Sequence, residues 1–235
     1  MALRLEELAK TVDQVLLDPS ATVADVERAC EDGRARHVAA VCVPPFCVQR
    51  ASRLLRGCDV KVGTVVGHPF GTDVTRAKVC AAEHAIAHGA DELDVALNVA
   101  ALRSGELGLV RDELVAFVRA VRMKGVNAGR GAVLVKVSVE CGLLDEPQKR
   151  LVCRLVEDAG ADFVSAMSGF GEAAPSPDDV ELFRESVSDG VGVKAMGVIA
   201  TCDDAETMIA AGASRLGTEH VDAILAGFSG VRKAS

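Results

Sequence analysis

The sequence contains no tryptophan and no tyrosine, and aromatic residues make up 3% of its 235 positions. Stacking platforms for nucleic-acid bases are therefore missing. A basic stripe is missing too. The formal net charge is −8, and Lys and Arg are not clustered as a nucleic-acid binder requires. An anionic small substrate stays open, because local charge can oppose the global sign. No stretch approaches about 18 uncharged apolar residues, so no membrane span is predicted. The opening MALRLEELAKTVDQ carries acidic residues within its apolar part and no cleavage-like site, and does not read as a signal peptide. Together these absences predict a soluble, cytoplasmic protein with neither a nucleic-acid nor a membrane partner. Among eight cysteines there is no Cys-x2-Cys pair, so reduced thiols are expected. No G-x-G-x-x-G follows the first strand, and no redox or nucleotide cofactor is indicated. His84 and His88 lie one helical turn apart, but no third ligand accompanies them and no metal site is expected.

What is present is an alternation. Short β-type runs (12–17, 37–43, 60–66, 91–98, 132–140, 162–167, 191–196 and 214–218) are separated by amphipathic segments (22–36, 73–89, 111–125, 146–160, 176–190 and 202–212). In the latter, apolar residues recur at steps of three and four. Ser176-Pro177 reads as an N-cap followed by proline at the first helical position. Gly89, Gly160 and Gly212 read as helix ends. The SGFG after the sixth strand (168–171) reads as a glycine turn. Eight apolar strands alternating with helices imply a parallel sheet covered by helices. Eight such units in roughly 250 residues predict an α/β fold of the closed (β/α)8 TIM-barrel type. The apolar content is continuous and no linker divides it, so one domain, 1–235, is expected.

In such barrels chemistry sits at the C-terminal ends of the strands. Charged residues within apolar strands are informative because burying a lone charge is costly. Here they are Asp13, Glu92, Asp94, Lys136, Glu140 and Lys194. A salt-bridged plug would account for them, and so would a catalytic set. A lysine confined near another lysine loses proton affinity and can attack a carbonyl to form a Schiff base, with a carboxylate shuttling protons.

The motifs AAVCVPP (39–45), TVVGHPFG (64–71), GADELDVALN (89–98), LVKVSVECGLL (134–144), GADFVSAMSGFG (160–171), VGVKAMG (191–197) and GASRLGT (212–218) resemble, in order and spacing, those of the deoxyribose-phosphate aldolase family. Those enzymes are class I aldolases on a (β/α)8 barrel, and the resemblance runs over residues 12 to 220. It implies that Asp94 is the proton-shuttling aspartate and Lys194 the lysine that perturbs the reactive amine. Lys136 matches a further active-site lysine on strand five, Asp13 the aspartate of strand one, and Cys42 a cysteine near the substrate.

Strand six departs from the family pattern, which reads approximately GADFxKTSTGF and whose lysine forms the Schiff base. Here Ser165 occupies that position, with Ala166 and Met167 after it. Serine cannot form an imine, and no His–Asp pair is evident to activate it. At the end of strand seven, Met196 and Val198 replace small residues. After strand eight, Glu219 and His220 stand where the family cradles phosphate. Gln14 and Val15 replace a His-Thr pair.

The candidate catalytic set is therefore Asp94, Lys136, Lys194 and Ser165. Asp13, Cys42, Glu140, Glu219 and His220 are candidate substrate contacts. Three functions fit these residues. One is an aldolase-like lyase acting on a small, unphosphorylated carbonyl substrate. Another is deoxyribose-phosphate aldolase activity through a relocated lysine. The third is a binding barrel without turnover, in which the charges plug the interior. His68 and His220 could act as acid/base groups near neutral pH. A homodimer is compatible with each.

Overall fold

The computed structural model describes residues 4–167 and 176–228. Eight parallel strands close into a barrel in sequence order. They are β1 Val12–Val15, β2 Ala40–Val43, β3 Lys61–Val66, β4 Glu92–Ala96, β5 Leu134–Glu140, β6 Phe163–Met167, β7 Gly192–Met196 and β8 Arg215–Thr218. The alternating architecture read from the sequence is the one observed. The turn expected at 168–171 lies outside the described residues.

Strand side chains alternate between two faces, and the two sets differ in chemistry. Val41, Leu93, Val95, Val135, Val137, Val164, Val193 and Leu216 belong to one apolar cluster shared with the surrounding helices. The opposite set points inward, as the contact between Lys136 on β5 and Asp13 on β1, across the barrel, requires. Strand pairing holds these residues in step: Asp94 is level with Lys136, Lys136 with Phe163, Ser165 with Lys194, and Lys194 with Arg215.

Local signals fix where the helices begin. Thr22, Asp145, Ser176 and Thr201 each cap a helix in reciprocal pairing with the side chain three residues on. Ser176-Pro177 starts its helix as expected. Gly89 and Gly212 take positive φ values of 112° and 106° at helix C-termini, and Gly160 takes 75°. The helix Val23–Arg36 ends instead on His37 at φ 54°, a left-handed residue with a side chain. Sequence periodicity also missed the helix Val48–Leu54, only two turns long. It carried β1 two residues too far: the strand ends at Val15, although Leu16 N–H still donates to the Cys42 carbonyl at 2.9 Å, and Leu17 lines the cavity at the barrel mouth.

Candidate active site

The barrel interior is built in layers. At the bottom, the Phe163 ring lies beneath two cations, 5.9 Å from Lys136 Nζ and 5.6 Å from Arg215 Cζ. Gly192 makes room for that ring, since a Cβ there would sit 2.3 Å from Phe163 Cε1.

Above it lies a floor of paired charges. Asp13 Oδ2 is 2.6 Å from Lys136 Nζ and 2.9 Å from Lys194 Nζ, and Asp13 Oδ1 is 2.5 Å from Arg215. Glu92 accepts from Lys136 at 2.5 Å and from Arg215 at 3.3 Å. Asp94 Oδ2 accepts from Lys194 at 3.0 Å. Three carboxylates thus meet three cations, and the set is formally neutral. A buried ion needs such pairing to survive its loss of hydration.

The pairing decides the protonation states. Burial alone would push the Asp13 carboxyl up, but Lys136, Lys194 and Arg215 outweigh it and hold it well below the usual carboxylate range. Burial would pull both lysines down. Asp13 and Asp94 reverse this for Lys194, which is raised well above an ordinary lysine. Lys136 is raised as well, by Asp13, Asp94 and Glu92, against burial and the nearby Lys194. The sequence-based expectation that crowding two lysines lowers their proton affinity is therefore corrected. The carboxylates between them dominate, and both amines rest as ammonium ions.

Two floor groups lack partners. Ser165 Oγ and Asp94 Oδ1 are buried without a hydrogen bond among the described residues. Each is free to meet a substrate atom, and such a group is costly to leave empty-handed. Cys42 Sγ lies 3.9 Å from Asp94 Oδ2. Burial, and then Asp94, push its thiol up to about 12.

At the C-terminal ends of the strands a cavity of about 330 Å³ opens. Val15, Met167 and Met196 line its inner side, and His68, Glu219 and His220 its polar side. Among the described residues no lysine or arginine lines it. Burial lowers the His68 pKa, with Glu140 and Asp94 acting the other way. A smaller neighbouring cavity of about 200 Å³ carries Ser138 and Glu140 and shares Met167.

The residues singled out from the sequence thus fall into three places. Asp13, Asp94, Lys136, Ser165 and Lys194 form the floor, and Cys42 lies at its upper edge, against Asp94 and the small cluster of Val15, Val65 and Met196. Glu140 stands at the side cavity, and Glu219 and His220 at the mouth. Asp13, expected to contact substrate, is enclosed by its three cations. Sequence reading missed Arg215, although a charge inside the apolar SRLGT strand was its signal. It marked Met167 and Met196 as departures from the family pattern without foreseeing that both line the cavity.

With this geometry in view, the comparisons with known proteins agree with one another. A family model described as DeoC/LacD family aldolase matches residues 7–213. A deoxyribose-phosphate aldolase of Thermoanaerobacter pseudethanolicus is 40% identical over 210 residues, covering 89% of this chain and 92% of that protein. Its namesake from Brevibacillus brevis is 39% identical over 218 residues, covering 93% and 95%. Among solved structures, an aldolase designated QR15 superposes with a TM-score of 0.84 at 31% identity over 93% of this chain and 94% of that one. The deoxyribose phosphate aldolase of Aeropyrum pernix, described as a unique tetramer, gives a TM-score of 0.85 at 28% identity, covering 95% and 91%.

Proposed function

This chain belongs to the DeoC/LacD family of aldolases, and from that premise we propose that it breaks and forms a carbon–carbon bond beside a carbonyl through an imine on Lys194. The names of its relatives favour a deoxyribose phosphate as the substrate. The observation that carries the reading is the 3.0 Å contact between Lys194 Nζ and Asp94, on a lysine level with Ser165 on the next strand. An amine and a proton acceptor thereby converge beside the position where the family pattern has its Schiff-base lysine.

The steps follow from that contact. Lys194 passes a proton to Asp94, and its neutral Nζ adds to the carbonyl carbon to give a carbinolamine. Asp94 returns the proton to the carbinolamine hydroxyl, which leaves as water, and an iminium forms. The carbon–carbon bond then breaks with its electron pair drawn into the iminium, giving an enamine. The proton of the departing hydroxyl goes to the Asp94 carboxylate. That proton is delivered to the enamine carbon, and water releases the second product from Lys194. Ser165 Oγ donates to the carbonyl oxygen, and Lys136 keeps Asp13 ionised beneath the site. Because Lys194 rests as an ammonium, the neutral amine is scarce near neutral pH and turnover is slow there.

A second reading keeps this chemistry but takes an unphosphorylated carbonyl substrate. It rests on Glu219 at a mouth that no lysine or arginine among the described residues lines, where a phosphate dianion meets like charge. The proposed assembly is a homo-oligomer.

The test is to incubate the protein with deoxyribose 5-phosphate, unphosphorylated 2-deoxyribose or acetaldehyde, add borohydride, and map the adduct. An adduct at Lys194 supports the proposal, and the better sugar separates the two readings. An adduct at Lys136 moves the amine. No adduct with any compound leaves a binding barrel without imine chemistry.

A further inference from the structure

Ser165 and Lys194 are both 0% exposed, so the floor is closed to the cavity above it. Among the described residues, what lies next above these two on their own strands is apolar. Met167 and Met196 are neighbours across β6 and β7, one pleat nearer the mouth than Ser165 and Lys194 on the same faces. Both line the mouth cavity. Met196 also packs on a small cluster of Val15, Cys42 and Val65, separate from the main core. A collar that is apolar apart from the Glu140 carboxylate, on β5 and level with Met167, therefore lies between the floor and the mouth.

We propose that Met167 and Met196 form a movable roof, and that the carbonyl end of a substrate reaches Ser165 and Lys194 only when they swing aside. Methionine suits this role, being unbranched with three rotatable bonds. Met196 has little freedom toward β8. A Cβ at Gly217 would lie 2.8 Å from Met196 Cγ and 2.9 Å from Lys194 Cε, so the glycine face is filled. Its free direction is the cavity, whose volume of about 330 Å³ accommodates a displaced thioether. Beneath the roof wait two buried polar atoms without partners among the described residues, Ser165 Oγ and Asp94 Oδ1; a substrate carbonyl oxygen would accept from the first and a substrate hydroxyl would donate to the second.

The collar also selects. A charged group crossing it sheds water, and an anionic one also meets the Glu140 carboxylate. Only a narrow, uncharged carbonyl end passes, and whatever the other end of the substrate carries stays in the mouth. The identity of the amine rests on the Lys194 proposal, but the movement of the roof does not.

Cys42 reports on the movement by itself, since it lies in the collar. Its labelling by methyl methanethiosulfonate is followed by peptide mapping in the wild type, in M167A/M196A and in the stiffer, volume-matched M167L/M196L. Cys30 and Cys153, buried among the helices, are the internal controls. The alanine variant is expected to label Cys42 roughly tenfold faster, as local opening becomes easier, with the controls unchanged. The leucine variant is expected to label Cys42 more slowly. Equal Cys42 rates in all three proteins overturn the roof. If the alanine variant loosens the whole chain, the leucine variant decides, and unchanged labelling in it likewise overturns the roof. The three proteins are also treated with acetaldehyde and borohydride. Faster Cys42 labelling with no Lys194 adduct leaves the roof standing and removes the amine assignment.

Discussion

Ser165 and Lys194 stand level on neighbouring strands, β6 and β7. Lys194 is held by two carboxylates, whereas the Ser165 hydroxyl has no partner among the described residues. The two positions share one buried environment, yet only one is wired into the ionic floor.

A lysine introduced at 165 would lie beside Lys194 with no carboxylate of its own. Burial and the adjacent ammonium both lower its proton affinity. Ser165→Lys is therefore expected to carry the borohydride-trapped adduct, with trapping at neutral pH about a hundredfold faster than in the wild type, since each pH unit of lowered pKa near neutrality gives roughly tenfold more free amine. Peptide mapping that leaves the adduct on Lys194 would contradict this.

The wild-type amine should show the opposite behaviour. Lys194 is raised by Asp13 and Asp94 against burial, so its neutral fraction grows about tenfold per pH unit below that pKa. The logarithm of the trapping rate should climb with unit slope from neutral pH to beyond the ordinary lysine value of about 10.4. A plateau near pH 8 would mean another amine is reacting.

The floor also sets a stability window. The depressed Asp13 stabilises the fold above its unfolded pKa of about 3.9, and that contribution is lost as pH falls toward its lower folded value. The raised Lys194 contributes fully below its unfolded pKa of about 10.4, and loses its share as pH rises through the folded value. Thermal melts should be flat between these limits and fall outside them. A steep change in Tm between pH 5 and 9 would place the controlling group elsewhere.

Arg215 bridges Asp13 and Glu92. Arg215→Met leaves three buried carboxylates facing two cations and is expected to cost about 3–5 kcal/mol in urea unfolding. A loss below about 1 kcal/mol, the range of exposed pairs, would show the bridge to be solvated.

At the mouth, Glu219 is exposed and lines the cavity. Glu219→Lys should improve affinity for deoxyribose 5-phosphate while leaving unphosphorylated 2-deoxyribose unaffected. Equal effects on both sugars would place the phosphate away from this residue.

The sequence carried the barrel because period-two apolar strands and capped helices are local signals. The charged floor showed through in the same way: Asp94, Lys136 and Lys194 interrupt apolar runs. Which charge meets which was not legible. Asp13 and Lys136 are 123 positions apart, and only closure of the barrel sets Asp13 among three cations instead of leaving two lysines to repel each other. Met167 and Met196 stood out in the sequence only as departures from the family pattern, and their place above the floor was not legible. Their chemistry is that of any core residue, and only their height on the strands gives them a role. His37 ended a helix where glycine was the expected signal, so composition could not mark it.

The neutrality of the floor bears on how such a barrel can change over generations. Altering any of its six charges strands a partner in the interior and endangers folding. Ser165 is uncharged and belongs to no pair, so a replacement there leaves the balance of the six intact. Reactivity at that position can be discarded or regained by a single codon change, while the scaffold that would exploit it persists.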